Sequence, residues 1–548
     1  MERLLAEKWS TSSGELLRWL EAVAPEIALT GTIVFFLISR MLFPRFRYGA
    51  HIWAMAGAFL AVALALGAGL RPVGEIFSGV LVHDEFGRLF RIFLLCALVL
   101  FVVFTSLSRI PPPVVATEFY LLVFGATLGM CFMATANHLV MVMLGAEMAS
   151  LPGYALVGIK KQDRLATEAA LKYAIFGAAT SGIMFFGLSL LAALTGAVHL
   201  PTMTARLASM GNELFNRPAE LSALTLGLIF VVAGLGFKLS LVPFHFWTPD
   251  VFEGATAEVG GFLSVASKLA ALALLTRLLV AWGAPLAQAE VGVASDVSLC
   301  LLATDPSTSQ GSPTFVPLRP ANTMGNLLGL VAALTCTFGN LAAYGQTNLK
   351  RLLAYSTIAH AGYLAMGIGA AAGTLPSFSG ECRQLLASVI FYASVYLLMN
   401  LGIFATTAFL RNKFGTEEID ALAGGGRDDP ALLVAATVFL FSLTGLPPLA
   451  GFMAKFVLFA AMARAGFWSL VLIGVVNTVF SLFYYLRIVR VLAIDEPRGM
   501  LGSVADSLSW AQRAFLLGLA AALVILGIWW GGLFAVCERA ATSLLALG

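Results

Sequence analysis

The chain has 548 residues, of which 59% are hydrophobic and only 11% charged, where a soluble domain carries about 25% charged residues. That composition excludes an ordinary soluble enzyme and describes a polytopic membrane protein. A net charge of +3 at pH 7 is too small and too dispersed for nucleic-acid binding.

The N-terminal stretch MERLLAEKWSTSSGELLRWLEAVAP carries both signs of charge and no early apolar run. It is not a signal peptide and reads, over 1–25, as an amphipathic lead-in lying at the interface. About fourteen spans follow. The first three, near 26–43, 51–69 and 91–108, hold few charges and read as a peripheral scaffold over 26–110. The fourth is near 115–135. The fifth, near 138–158, contains Glu147, and the sixth, near 171–195, opens with Lys172.

The seventh span, 225–247, is interrupted. TLGLIFVVAGLGFKLSLVPFHFW places Lys238 near its middle, then Pro243 and His245. Proline removes a backbone donor and clashes with the preceding turn. Freed backbone groups in lipid need protein or a water-filled cavity to satisfy them. A lysine at that depth is usually turned toward partners or a polar pathway. The alternative is a lysine whose stem reaches to the interface, which fits poorly so far from either end.

The eighth span, near 260–282, contains Lys268. A Ser/Pro-rich stretch, DPSTSQGSPTFVPLRP, reads as a loop within an insert over 284–322. Spans nine to fourteen lie near 324–345, 350–372, 385–410, 431–463, 467–493 and 512–536. The tenth holds His360, and the twelfth holds Gly445, Pro447, Pro448, Gly451 and Lys455.

The twelfth span thus repeats the glycine, proline and lysine of the seventh, five spans later. An odd number of helices inverts the second copy, and paired interrupted segments in inverted halves point to a transport pathway. The expected fold is all-α, with two inverted five-helix repeats, 111–283 and 323–495, each with a broken helix. A C-terminal helix occupies 496–548. Arg45, Arg47, Arg109, Lys160, Lys161, Arg164, Lys350, Arg351, Arg411 and Lys413 lie in or beside odd-numbered connections. The positive-inside rule then makes those connections cytoplasmic and puts both termini outside. The connection at 248–259 breaks the pattern, with Asp250, Glu253 and Glu258 and no basic residue.

Glu147, Lys172, Lys238, His245, Lys268, His360 and Lys455 are ionisable and lie in or near apolar spans. Such a series suits proton relay. Burial disfavours the charged form of lysine and glutamate alike, and an ion pair favours it. A pair about 4 Å apart at an effective dielectric of about 20 interacts by roughly 4 kcal/mol, about a thousandfold in proton affinity. Opening and closing the pair therefore moves a lysine between holding and releasing a proton. Plainer readings stand beside this one. A structural acid is the lesser alternative for Glu147, while a snorkelling lysine for Lys172 and packing groups for the two histidines stand level with the relay reading. Tyr484 and Tyr485 read as packing or interface aromatics, with a relay role as the lesser alternative. Cys96, Cys131, Cys300, Cys336, Cys382 and Cys537 form no CxxC pair, and no Gly-rich phosphate loop follows a strand. Neither a metal centre, an iron–sulfur site nor a nucleotide site is expected.

Taken in order, EFYLLVFGATLGMCFMATANHLVMVMLGAEMASLPGYALVG, TEAALKYAIFGAATSG, GLGFKLSLVPFHFWTPDVFEGA, GNLAAYGQTNLKRLLAYSTIAHAGYLAMG, SLTGLPPLAGFMAKFVLF and NTVFSLFYYLRIV cover most of 115–490. The chain resembles the antiporter-like subunit N family of bacterial proton-translocating NADH–quinone oxidoreductase, respiratory complex I. The resemblance implies a fourteen-helix fold with two inverted units and a proton channel without redox cofactors of its own. NADH, FMN, iron–sulfur clusters and quinone would belong to partner subunits. The family's fifth-helix glutamate falls on Glu147, and its functional lysines fall on Lys172, Lys238, Lys268 and Lys455. His245 and His360 match histidines of its polar axis. It also implies a multi-pass protein of the bacterial cytoplasmic membrane, seated among other membrane subunits, neighbouring antiporter-like ones above all.

Two departures stand out. TAEVGGFLS at 256–264 puts Glu258 where the family usually has a proline. Glu258 is either an added proton-collecting group or, the favoured reading, a solvated loop residue. The insert around 285–320 is longer than is usual, and is expected to lie outside and meet a neighbouring subunit or a lineage-specific partner. Two other functions remain in play: a subunit of a Mrp-type cation/proton antiporter, and a non-conducting scaffold bundle. Retention of the matched acid and lysines argues against the scaffold.

Overall fold

The computed structural model describes residues 16, 18–42, 49–67, 74–211, 214, 217–290, 301–302, 315–316, 320–375, 380–496 and 507–546, without side chains over 284–324. Most of the predicted lead-in and of the predicted insert therefore lies outside the described residues. Helices dominate: α1 (Ala24–Leu42), α2 (Ala50–Gly67), α3 (Glu85–Ser108), α4 (Ala116–Thr135), α5 (Leu139–Val157), α6 (Arg164–Thr195), α7 (Leu200–Met210), α8 (Pro218–Leu239), α9 (Trp247–Gly254) and α10 (Ala257–Glu290). They continue as α11 (Pro320–Ala343), α12 (Leu349–Thr374), α13 (Gly380–Phe414), α14 (Pro430–Thr444), α15 (Ala450–Arg464), α16 (Trp468–Ala493), α17 (Trp510–Ile528) and α18 (Gly531–Leu545).

Among the described residues twelve helical segments are long and apolar enough to cross a membrane. A segment in lipid must satisfy its backbone internally, so long apolar runs become helices. Their starts are set by polar caps. Asp84, Asp163, Asn348 and Asp429 accept from the first-turn amides of α3, α6, α12 and α14, and Ser509 with Gln512 forms a capping box on α17. Each of the first thirteen predicted spans falls on one helix or, for the seventh and twelfth, on a broken pair.

Several boundaries differ from the sequence reading. The connection between α2 and α3 is an antiparallel hairpin, β1 (Gly74–Ile76) on β2 (Leu81–His83), with Gly74 opposite His83. Ala22 and Val23 pack on Ile76 and Leu81 of this hairpin, so the end of the expected interfacial lead-in belongs to a small core. The predicted fourteenth span divides: α17 ends at Ile528 and α18 begins at Gly531, with Phe534 edge-on to Phe391 of α13, ring centroids 5.9 Å apart. The run 196–224, read only as connection, contains α7, tied to α10 by Thr204 Oγ1 donating to Ala281 O at 2.8 Å.

Helices α10 and α13 form the centre beside α12, which is buried along nearly its whole length. Within their membrane-length segments 94% of residues are buried in α10 and in α13, against 67% or less in each of the other ten. Both are apolar around nearly their whole circumference, which is the pattern of a helix enclosed by others. Beside them α11 and α12 approach closely through glycine. A Cβ at Gly339 would lie 2.7 Å from the backbone nitrogen of Ala359, and one at Gly362 2.6 Å from that of Cys336, so small residues set this helix pair's distance. Two buried ion pairs tie the scaffold together: Glu26 to Arg91 at 3.2 Å, and Asp84 to Arg277 of α10 at 3.0 Å.

Candidate functional site

The two broken helices end alike. At the end of α8, Ser240 adopts φ 62° and Leu241 N–H donates to Gly236 O at 2.8 Å. At the end of α14, Gly445 adopts φ 91° and Leu446 N–H donates to Phe441 O at 3.0 Å. Each is a left-handed cap of the Schellman kind. The first helix therefore stops at Leu239, before Pro243, on a left-handed serine that no simple sequence rule marks. The chain then resumes as α9, so much of the segment read as the connection 248–259 is the second half of the broken helix.

A helix C-terminus presents carbonyls without intrahelical partners and a partial negative charge. Lysines meet both of these ends. Lys268 Nζ, on α10, donates to Lys238 O at 2.9 Å and to the Ser240 hydroxyl, and sits 5.3 Å over the Trp247 ring. Lys455 Nζ, on α15, donates to Leu443 O and Thr444 O at 2.9 Å each, and sits 4.7 Å over the Tyr363 ring. Lys238 Nζ turns to α5, donating to Ala146 O at 3.2 Å and to the Ser150 hydroxyl. These two acceptors flank Glu147 on the same helix. Glu147 Oε1 is buried without a hydrogen-bond partner, so the glutamate–lysine pair is open in this structure.

His360 is 1% exposed on α12. Its Nδ1 is 2.8 Å from the Tyr392 hydroxyl and its Nε2 3.4 Å from that of Tyr485. Tyr485 also meets the Ser356 hydroxyl, and Tyr484 donates to Asn340 Oδ1 at 2.9 Å. Both tyrosines are buried; they are hydrogen-bonded core residues, not interface aromatics. Asn340 lies 3.5 Å from the hydroxyl of Tyr363, over whose ring Lys455 rests. Hydroxyls, amides and an imidazole thus run without a gap wider than a ring contact from His360 to Lys455.

Two predicted residues stand apart. Lys172 pairs with Asp250 at 2.8 Å and with Glu168 at 2.9 Å, its side chain 38% exposed. Asp250 also holds Arg351 at 3.0 Å, and Arg351 reaches Glu253. This cluster straps α9 to α6 and α12, and explains the acidic run that broke the charge pattern. His245 lies in the break with its ring 4.4 Å from that of Phe338 and its Nδ1 buried without a hydrogen-bond partner. Pro243 and Pro447 lie in the irregular turns of the two breaks, and Pro448 follows just before α15 begins.

Glu258 is not a solvated loop residue. It is 0% exposed in the first turn of α10 and pairs with Arg411 of α13 at 3.1 Å. The helix begins at Ala257, so this residue lies inside it, and the buried acid is matched by a cation. Nearby, Lys350 donates to Ala255 O at 2.6 Å and pairs with Glu417 at 2.8 Å. Sequence reasoning also missed Ser264, Asn400 and Tyr396. These uncharged residues in apolar helices carry no signal until the helices are packed.

The family model described as NADH:quinone oxidoreductase/Mrp antiporter, TM, matches residues 136–304 and 312–481. The chain is similar to NADH-quinone oxidoreductase subunit N of Anaeromyxobacter sp. (strain Fw109-5), 38% identical over 92% of this chain and 93% of that one. It is similar to a chain of respiratory complex I from Thermus thermophilus, with a TM-score of 0.70, 29% identity, and 93% and 98% of the two chains covered. Its fold is also that of a chain in the Mrp complex from Dietzia sp. DQ12-45-1b, with a TM-score of 0.75 over 96% and 98% of the two chains, at 18% identity.

Proposed function

The chain belongs to the NADH:quinone oxidoreductase/Mrp antiporter membrane family, among its subunit N members, and we propose that its two lysine-capped helix breaks form the stations of a proton path. It is an antiporter-like membrane subunit of an NADH–quinone oxidoreductase complex, a respiratory complex I. On our reading it moves protons across the membrane while electron transfer from NADH to quinone proceeds elsewhere in the assembly. NADH, FMN, the iron–sulfur clusters and quinone are then held by partner subunits, and this chain is a translocase part without redox chemistry of its own.

The observation that carries the reading is the shared turn of the first break. Lys268 Nζ is bonded to the carbonyl of Lys238 and to Ser240, so one lysine's charge acts directly on the backbone that carries the other. A proton leaving Lys268 weakens the cap on the turn from which Lys238 extends. Glu147, Lys238, Lys268, His360 and Lys455 are the relay groups of this proposal. His245 serves the first break. Lys172 holds the half-helix α9 in place.

The basic residues beside odd-numbered connections support a bacterial cytoplasmic membrane location with both termini periplasmic. Neighbouring antiporter-like subunits are the expected partners, and the described exposed apolar faces fit lipid and such neighbours.

The test is NADH-driven proton pumping in inside-out membrane vesicles, comparing wild type with Lys238→Ala. Loss of pumping in a fully assembled complex supports the relay. Unchanged pumping removes Lys238 from the path. If NADH drives nothing while an imposed Na⁺ gradient moves protons, the Mrp-type antiporter reading replaces this one.

A further inference from the structure

The lysines and His360 leave one junction without an ionisable group, and it lies between the two central helices. Ser264 is one helical turn before Lys268 on α10. Tyr396, on α13, has its ring 5.3 Å from that of His360. Between them stands Asn400, 0% exposed. Its Nδ2 donates to Ser264 Oγ at 2.7 Å and to the Tyr396 hydroxyl at 2.8 Å. The amide thus joins the Lys268 side to the His360 side by one side chain.

The joint cannot itself pass a proton. Both amide hydrogens are given away, one to each hydroxyl, and a neutral amide has no proton to exchange at physiological pH. Ser264 in turn donates to Gly261 O at 2.9 Å, so its hydrogen points away from Asn400. What remains is Asn400 Oδ1, which is buried with no hydrogen-bond partner. A buried carbonyl left without a donor is costly, and the usual occupant of such a place is a water with several polar neighbours.

Resting on the relay reading above, we propose that Asn400 is the positioning residue of this junction, and that its carbonyl oxygen seats a water molecule that carries the proton between Lys268 and His360. The transfer balances. The Lys268 ammonium gives one proton to the water, which passes one of its own to the tyrosine hydroxyl bonded to the accepting ring nitrogen of His360; that hydroxyl gives its hydrogen to the ring and takes the water's in return. Lysine is left neutral and His360 positive, and the water is regenerated. Ser264 and Tyr396 hold the amide so that Oδ1 faces the water and does not rotate away.

The test uses isosteric variants of the assembled complex in vesicles with NADH. Asn400→Val and Asn400→Thr have the same shape and differ by one oxygen. Asn400→Val is expected to lower pumping about tenfold, the scale of one lost hydrogen bond at a transfer step, with assembly intact on native gels and a larger solvent deuterium isotope effect. Asn400→Thr, which keeps an acceptor, is expected to stay within about twofold of wild type. Equal loss in both variants would make Asn400 a structural strut and overturn the proposal, as would wild-type pumping in Asn400→Val. If β-branched residues prevent assembly, Asn400→Ala against Asn400→Ser repeats the comparison at smaller size. Lys268→Ala separates the two levels of argument. If it pumps normally, the relay itself fails; if it is dead while Asn400→Val is normal, only the water seat fails.

Discussion

The ammonium of Lys268 and the backbone carbonyl of Lys238 lie 2.9 Å apart, although 30 residues separate them in the chain. Replacing Lys268 by methionine keeps the apolar stem and deletes the charge. It leaves Lys238 O and Ser240 Oγ without that donor, which costs about 1–3 kcal/mol for a buried group. We expect Lys268→Met to lower the thermal stability of the purified complex and to abolish pumping. A variant that pumps at the wild-type rate would show that the cap is only structural.

Ser240 allows the backbone and the hydroxyl to be separated. Its φ of 62° is a conformation that glycine adopts without strain. Ser240→Gly relieves that strain by about 1 kcal/mol and removes the acceptor shared by Lys268 and Thr248. The prediction is near-normal stability with reduced pumping. Full activity would assign the serine to packing alone.

The second break offers the opposite substitution. Gly445 has φ 91°, and a Cβ there would lie 3.0 Å from Cδ of Lys455. Gly445→Ala therefore strains the backbone by about 1–2 kcal/mol and pushes Lys455 off the carbonyls of Leu443 and Thr444. Expected is a loss of pumping at least as large as in Lys455→Arg, read in the same vesicles. If Gly445→Ala pumps normally, the capped end of α14 is not a station on the path.

These sites differ in how far they can be read from the chain alone. The broken helices are legible because glycine, proline and lysine interrupt apolar runs, and their physical effects are local. The place of the first break is not, because it falls on a left-handed serine whose hydroxyl partners, Lys268 and Thr248, come from other helices. Glu258 shows the same limit. Its neighbours in sequence are small and loop-like, while its partner Arg411 lies 153 residues on. Asp250 and Glu253 look like an unbalanced acidic connection until Lys172 and Arg351 are brought beside them. Asn400, Tyr396 and Ser264 are ordinary polar residues of apolar helices, and only the packing of α10 on α13 makes them a chain.

The ionic strap at α9 separates a structural lysine from a relay lysine. The Lys172–Asp250 pair is about one-third exposed on both sides, so alone it is worth at most about 1 kcal/mol. Asp250 holds Arg351 as well, so Asp250→Asn removes two contacts between helices, where Lys172→Ala removes one and an exposed pair within its own helix, and Asp250→Asn is expected to destabilise more. Both effects shrink as salt rises, because exposed charges are screened. Pumping in assembled Lys172→Ala should remain well above that of Lys238→Ala. Equal loss in the two lysine variants would move Lys172 onto the path.

The Glu258–Arg411 pair tests whether an added buried acid is part of the machinery or of the frame. Glu258 is 0% and Arg411 12% exposed at the side chain, so removing one partner leaves a charge that water cannot fully recover. Glu258→Gln should therefore destabilise the complex by about 3 kcal/mol, and adding Arg411→Met should recover part of that loss, since the stranded cation goes too. If the pair is a frame contact, pumping per assembled complex is unchanged in both variants, and a double-mutant cycle on thermal stability carries the whole effect. If Glu258→Gln assembles normally but pumps less, the acid takes part in loading protons at the start of α10, and the frame assignment is wrong. The frame outcome is the one expected, because the Arg411 guanidinium already engages both carboxylate oxygens as a fixed partner, whereas a proton-loading acid must trade its partner for a proton in each cycle.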